Sequence, residues 1–242
     1  KSIWEHKPIV EMLKKQDENG LWKSEEKYYG SFTPLRYLTA FAEHGLHKDE
    51  KIDRFVQYTI NNMLENNDDP SGCDRPLVLR ALVMLGYHEN DKVKTLIENF
   101  ANAQLNDGGY MCKRLLNKKP DRKSCYKASI AGLLLYAECK KKNILPSNSD
   151  NLVNYFLKRN VFYSSDKTKM FSDGRFGWRF IDNFFPVEPM RMGLPLIVSS
   201  LSILGVGKAP ELAKAWELLE EKKDEDGKIL LDGTLTKQPC SF

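Results

Sequence analysis

Three cysteines are the residues whose spacing most clearly indicates chemistry. Cys73 and Cys125 each stand at the start of a predicted apolar helix, and Cys112 lies in the loop region between those helices. Helix N-termini favour the thiolate form of cysteine, which binds metal ions and attacks electrophiles. If the two helices are neighbours, the three thiols meet at one mouth of the fold. They then form a zinc site or a reactive-thiol site; a disulfide between two of them and unrelated buried thiols are the alternatives.

A zinc ion at these cysteines would need a fourth ligand or a water molecule to complete its tetrahedral shell. The nearest carboxylates in the sequence are those of Asp74, Asp107 and Asp121. Zinc is therefore the predicted cofactor, with the three cysteines as its ligands.

Basic side chains gather around the same cysteines. The loop at 111–123 carries six of them, and Arg75, Arg80 and Lys127 belong to the two apolar helices. Cations and helix N-termini bind phosphate groups, whereas an apolar interior accepts a hydrocarbon tail. We therefore predict that Arg75, Arg80 and Lys127 contact an isoprenoid diphosphate-type ligand. A solvated surface is the alternative interpretation of this charge.

A second loop, at 160–187, and the start of the helix after it supply candidates for acid–base work. Asp173 and Glu188 are the carboxylates predicted to be catalytic. Arg175, Trp178 and Arg191 are predicted to bind the ligand, since aromatic faces suit an apolar or carbocationic group. Core packing of the aromatic residues between the last two hairpins is the alternative.

The elements that must position these residues are helices. Apolar periodicity predicts helices at 3–15, 34–44, 49–64, 73–85, 91–104, 124–139, 150–159, 188–204 and 210–222. Pro195 predicts either a kink in the eighth helix or a later start for it. The helices that begin at 34, 73, 124 and 188 are apolar on most sides and belong inside, whereas their partners carry a charged face. We predict one all-α domain over residues 1–242, an α/α toroid with two concentric layers or an open solenoid.

One turn pattern recurs between these hairpins, at 16–22, 104–110, 172–178 and 223–229. Each copy contains an Asp/Asn-Gly type turn that stops a helix and reverses the chain, and the residue after it is expected to fold back onto that helix. The copy at 104–110 is the best preserved. It alone is followed at once by a cysteine and a basic loop, so we expect function just after Tyr110.

With these turns and hairpins, the chain resembles the α/α toroid superfamily of terpenoid (squalene-type) cyclases and protein prenyltransferase β subunits. More narrowly, it is similar to the bacterial prenyltransferase/squalene-oxidase repeat proteins. The resemblance covers nearly the whole chain. It implies a toroid whose central cavity binds an apolar, isoprenoid ligand, but the same fold serves several reactions.

The catalytic motifs of that superfamily do not carry over to this sequence. Neither Asn67-Asp68-Asp69 nor Asp224-Glu225-Asp226 fits the Asp-x-Asp-Asp acid of class II cyclases. The adjacent Cys73-Asp74 departs from the order of the prenyltransferase zinc ligands, and none of the four histidines opens an inner helix. The Cys-Gly-Glu-Gln motif of thioester domains is also absent.

Composition excludes several other classes. The net charge of +4 is spread along the chain, which argues against a nucleic-acid partner. The sequence lacks an apolar run of about 18 residues, so we predict no integral membrane segment. An odd number of unevenly spaced cysteines favours reduced thiols and a cytoplasmic location. The start at Lys1 leaves room for an upstream segment.

These observations lead to one functional expectation and two alternatives. We predict a monomeric or dimeric toroid that binds an apolar, isoprenoid-type ligand, with the cysteines at one mouth. The first alternative is a noncatalytic helical-repeat scaffold that presents its loops to a protein partner. The second is a carbohydrate-active toroid that uses Asp173 or Glu188.

Overall fold

The chain folds into helices throughout the part that the structure describes. In this computed structural model, those residues are 2–22, 32–65, 72–111, 124–168, 170, 182 and 192–232. Within those ranges there are nine α-helices: α1 (Lys7–Leu13), α2 (Phe32–Glu43), α3 (Glu50–Glu65), α4 (Asp74–Met84), α5 (Asp91–Asn102), α6 (Tyr126–Lys141), α7 (Ser149–Leu157), α8 (Leu194–Ile203) and α9 (Ala213–Glu221). The same ranges contain three short 3-10 segments and no β-strand beyond isolated bridges. The all-α prediction is confirmed.

The helices pack in two layers that follow chain order. Helix α2 packs against α4, α4 against α6, and α6 against α8. Helices α5, α7 and α9 pack on α4, α6 and α8 respectively, and α3 contacts α5. The four apolar helices therefore form one continuous layer, and the amphipathic helices cover it.

The inner helices α4 and α6 are buried on every side. Residues 75–83 of α4 and 128–139 of α6 are all buried. Because an α-helix turns once in about 3.6 residues, runs of this length leave no exposed face on either helix. The outer helix α5 buries only its apolar stripe, made of Val93, Leu96, Ile97, Phe100 and Ala101. This contrast is the one that the hydrophobic pattern predicts.

Most predicted helices lie within a few residues of the observed ones, and the eighth is the exception. Gly193 is extended and serves as the N-cap of α8, so that helix begins at Leu194 with Pro195 in its first turn. Proline is tolerated there because the first helical N–H groups have no partner within the helix. The helix therefore begins later than residue 188, and of the two alternatives that Pro195 predicts, the later start is confirmed over a kink.

Three of the predicted repeat turns share one main-chain pattern. In each, an N–H donates to the carbonyl four residues later, and the glycine N–H donates back to the first residue. The pairs are Asp17–Leu21 with Gly20–Asp17, Leu105–Gly109 with Gly108–Leu105, and Asp224–Lys228 with Gly227–Asp224. The fourth predicted copy, at 172–178, lies outside the described residues. A related turn at 164–168 places Lys167 at φ 59° and was missed because it lacks glycine.

The residue after each of the first two turns folds back onto the helix that precedes it, as predicted. The indole N–H of Trp22 donates to the Met12 carbonyl of α1 over 2.8 Å. Tyr110 stacks on Phe100 of α5, with ring centroids 4.1 Å apart. Stacked aromatic rings at such distances add about 1 kcal/mol to the burial of their surfaces. The turns thus help to fix the spacing of successive hairpins.

None of the helices in the described ranges has the length and apolar character required to cross a membrane.

Candidate functional site

Two of the predicted metal-binding cysteines occupy equivalent positions at the starts of neighbouring helices. Cys73 is the N-cap residue of α4, and Cys125 is the N-cap residue of α6. These two helices pack directly against each other. Both cysteine side chains are half-buried. The structure therefore places them at corresponding ends of adjacent inner helices, as the sequence suggested.

The segment Tyr110-Met111 connects these two helix starts through its consecutive carbonyls. The Cys125 N–H donates to the Tyr110 carbonyl over 2.8 Å, and the Gly72 N–H donates to the Met111 carbonyl over 3.2 Å. These two residues thus bind Gly72, the residue before Cys73, on one side and Cys125 on the other. Cys112 follows Met111 directly in the sequence but lies outside the described residues.

The described part of the chain holds two of the three predicted ligands. Within it, no group of three or more His, Cys, Asp or Glu side chains is placed to hold a metal ion. A set of three ligands at this rim therefore needs at least one residue from outside the described part, where Cys112 lies. The prediction of a three-cysteine zinc site stays a prediction.

Asp107 is already occupied by protein contacts, so it is a poor candidate for the fourth ligand. Its Oδ1 accepts the Gly109 N–H over 3.1 Å. Its Oδ2 accepts the Ser124 N–H over 3.2 Å and the Ser124 hydroxyl over 2.8 Å. The Arg159 guanidinium lies 3.6 Å from the same Oδ2. Of the other two carboxylates, Asp74 is in the first turn of α4, and Asp121 lies outside the described residues.

Two predicted ligand-binding cations lie in the first turns of the same helices. Arg75 and Lys127 each follow a cysteine by two residues. Arg75 is buried, and its Nη2 donates to the Met63 carbonyl near the end of α3. Lys127 is half-buried. The positive ends of two helices and two cationic side chains therefore belong to the same rim, and this charge favours bound anions or thiolates.

Arg80, which was predicted to bind a ligand, forms ion pairs with two carboxylates of the protein. Its Nη1 lies 2.7 Å from Glu43 Oε1 at the end of α2, and its Nη2 lies 3.8 Å from Glu138 Oε1 near the end of α6. Side-chain exposure of all three is between 11% and 14%. Arg80 therefore ties three inner helices together near their C-terminal ends. A lone glutamate inside the apolar sequence of α6 was the signal that could have indicated this partner.

The remaining predicted site residues lie outside the described part of the chain. These are the catalytic candidates Asp173 and Glu188 and the ligand-binding candidates Arg175, Trp178 and Arg191. Their roles stay predictions.

A fourth cysteine provides an internal contrast to the rim cysteines. Cys139 is fully buried near the end of α6. Burial, together with the charge of the neighbouring Glu138, raises the pKa of the Cys139 thiol to about 12. This thiol therefore stays protonated near neutral pH and is unsuited to bind a metal ion.

Comparisons with protein-family models, with curated proteins and with solved structures found no match to this chain.

Proposed function

We propose that this chain binds one zinc ion through the thiolates of Cys73, Cys112 and Cys125, at the rim where α4 and α6 begin. The observation that carries the proposal is the pair of hydrogen bonds to consecutive carbonyls, Cys125 to Tyr110 and Gly72 to Met111. They join the two N-cap cysteines to the segment that runs directly into Cys112. No other described part of the chain combines two helix N-termini with cysteines at the cap positions.

The electrostatics of this rim support metal binding by thiolates. Zinc ligation by cysteine requires loss of the thiol proton, and the partial positive charge of a helix N-terminus favours the thiolate. Arg75 and Lys127 in the same first turns add to this effect. Three thiolates leave the fourth zinc position for water, Asp74 or a substrate. Three protein ligands and one open position are typical of catalytic zinc, so the proposal allows Lewis-acid chemistry at this rim.

The test is the metal content of protein purified without oxygen and without chelator, measured by mass spectrometry. The proposal predicts one zinc ion per chain for the wild type and its loss in Cys73→Ser, Cys112→Ser and Cys125→Ser. Cys139→Ala is the matched control, because it removes a thiol that is buried away from the rim, and it retains the metal. Wild-type protein that lacks stoichiometric metal, and does not take up added Zn²⁺, would sink the proposal.

An α/α toroid is the arrangement that we propose for the two layers. The support is the chain-order packing of the inner helices together with burial of α4 and α6 on every side, which requires cover on the side away from the outer layer. A compact domain of 242 residues has a radius of gyration of about 18 Å. Small-angle X-ray scattering that gives a clearly larger value would favour an open solenoid instead.

A noncatalytic scaffold for a protein partner is the second candidate, and one observation favours it. Because α4 and α6 expose no face, these two inner helices offer no open apolar wall to an isoprenoid tail. Binding of farnesyl diphosphate distinguishes such a scaffold from a protein that binds an isoprenoid ligand. A ligand held by the folded state raises the melting temperature in proportion to the logarithm of its concentration, whereas the scaffold proposal predicts no shift. Reduced thiols at the rim suit a cytoplasmic protein.

A further inference from the structure

Asp107 is the third residue of its turn, and the same position is held by Asn19 and Asp226 in the turns at 17–21 and 224–228. The Asp226 carboxylate accepts the Lys228 ammonium group of its own turn over 2.9 Å, and both side chains are exposed. Asp107 closes its own turn through Gly109, but its second oxygen binds Ser124, 17 residues later in the chain. A residue of the repeat has therefore gained a tertiary contact.

The tertiary contact of Asp107 is made at the residue that precedes Cys125. Both the N–H and the hydroxyl of Ser124 donate to Asp107 Oδ2. The next N–H, that of Cys125, donates to the Tyr110 carbonyl. Two consecutive peptide N–H groups thus bind the Asp107 side chain within the turn and the Tyr110 carbonyl just after it. This arrangement fixes the main chain of Cys125 before α6 begins.

Ser129 adds a second connection between Cys125 and the turn. Its hydroxyl donates to the Cys125 carbonyl over 3.0 Å and accepts the Tyr110 N–H, also over 3.0 Å. Space for this contact depends on Gly109, since a Cβ there would lie 2.4 Å from Ser124 Oγ and 2.7 Å from Ser129 Oγ. The Cys125 N–H therefore binds the Tyr110 carbonyl directly, and the Cys125 carbonyl is connected to the Tyr110 N–H through the Ser129 hydroxyl.

Arg159 holds the Asp107 carboxylate from the side of α7. Its guanidinium is 3.6 Å from Asp107 Oδ2 and stacks on the Tyr155 ring, with Cζ 3.6 Å from the ring centroid. Its Nη1 also donates to the Tyr155 carbonyl over 3.0 Å. The Arg159 side chain is only 8% exposed. Such a guanidinium has few orientations, so the position of the carboxylate is fixed as well.

We infer that Asp107, held by Arg159, is a positioning residue that fixes Cys125 in the geometry required for metal binding. The inference rests on the proposed zinc site. Asp107 does not contact the metal; it acts through Ser124 on the main chain of a ligand. A ligand that is already ordered loses less conformational entropy when the metal binds, so affinity is higher. Residues that orient metal ligands typically contribute about 10- to 100-fold in metal affinity.

The test is a competition titration of Zn²⁺ against a chelator, with wild type, Asp107→Asn and Asp226→Asn compared at a temperature where all are folded. Asp107→Asn is expected to bind zinc about 10- to 100-fold more weakly. Asp226→Asn, which makes the same change at the equivalent position of the turn at 224–228, is expected to match the wild type. Ile229→Ala serves as a second control, since it lowers stability without contacting the rim.

A spectroscopic readout separates positioning from a general loss of stability. With Co²⁺ in place of zinc, the ligand-to-metal and d–d absorption bands report sulfur ligation and tetrahedral geometry. Asp107→Asn is expected to shift these bands, whereas Ile229→Ala leaves them unchanged. If Asp107→Asn does not fold, Ser124→Ala removes the same hydroxyl contact and takes its place. Wild-type affinity in a folded Asp107→Asn or Ser124→Ala overturns the inference, whereas failure of the wild type to bind metal overturns the proposed site and the inference with it.

Discussion

The turns at 105–109 and 224–228 have the same main-chain hydrogen bonds but very different surroundings. In both, an N–H binds the carbonyl four residues later and a glycine with positive φ returns the chain. A Cβ added at Gly227 would meet nothing in the described part of the chain within 4 Å, whereas one added at Gly108 would lie 2.4 Å from the Asn151 carbonyl oxygen. Tyr110 is fully buried after the first turn, and Ile229 is half-buried after the second.

The difference shows what the repeat does and does not determine. Local sequence, an aspartate or asparagine before glycine, is sufficient to form the turn in either place. The turn at 105–109 has in addition tertiary contacts with Ser124 before α6, with Asn151 of α7 and with Arg159 after α7. Substitutions at matched positions of the two turns therefore separate the cost of the turn from the cost of these contacts.

The largest difference is expected for the aromatic residue after the turn. Tyr110→Ala removes a ring that stacks on Phe100 and a hydroxyl that pairs with Tyr136. Truncation of a buried aromatic residue costs about 4 kcal/mol of folding free energy. Ile229→Ala is expected to cost at most about 2 kcal/mol, because that side chain is half-buried. Urea denaturation of the two variants measures both values, and equal losses would contradict the contrast between the turns.

A smaller difference is expected for the glycines. Gly108→Ala combines a left-handed backbone with a close approach to Asn151, so it is expected to cost about 3 kcal/mol. Gly227→Ala has only the backbone cost, about 1 kcal/mol, since its described surroundings are open. Thermal unfolding of both variants gives the comparison. A Gly108→Ala variant as stable as Gly227→Ala would show that α7 can move away from the turn.

The aspartates are expected to differ less again. Asp107→Asn leaves the buried Arg159 guanidinium without its carboxylate, which costs about 2 kcal/mol. Asp226→Asn changes an exposed side chain at the matched position of the turn at 224–228 and is expected to stay within about 0.5 kcal/mol of the wild type. The double variant Asp107→Asn with Arg159→Met tests the pairing. If the ion pair is the cause, the two substitutions together cost less than the sum of their separate effects.

The smallest expected effect is on the pH dependence of the free energy of unfolding. Burial raises the pKa of both Tyr110 and Tyr136 above the ordinary value of a tyrosine. Below about pH 10 the hydroxyls are neutral in both the folded and the unfolded chain, so stability is unaffected there. Above about pH 10 the unfolded chain ionises first, and stability falls. Tyr136→Phe is expected to reduce this fall by about 1 kcal/mol between pH 10 and 11. An unchanged pH profile of the free energy of unfolding would contradict the prediction.

The helical layers could be predicted from the sequence because they depend on local patterns. Apolar runs gave α4 and α6, and the turn after α5 followed from Asn106-Asp107-Gly108. The start of α8 was harder to predict than those of α4 and α6, because a proline such as Pro195 is compatible both with a kink inside a helix and with the first turn of one. The turn at 164–168 was missed because Lys167 adopts a left-handed conformation that sequence rules reserve for glycine and asparagine.

The candidate site was only partly predictable, for a physical reason. Cysteines at helix starts are visible in the sequence, and so is their order along the chain. The partners of Asp107 and Arg80 are not, because each pair joins residues that are distant in sequence and brought together only by packing. Arg159 follows α7 as one more surface-type cation in the sequence, yet its side chain is buried against Tyr155.

The most direct test of the central claim, that the three rim cysteines bind one metal ion, is zinc X-ray absorption spectroscopy of the purified protein. The expected first coordination shell has three sulfur ligands at about 2.3 Å and one lighter ligand. Cys125→Ser is expected to reduce the number of sulfur ligands or to release the metal. A shell that contains only nitrogen and oxygen would contradict the proposed site, as would a sulfur shell unchanged in Cys125→Ser.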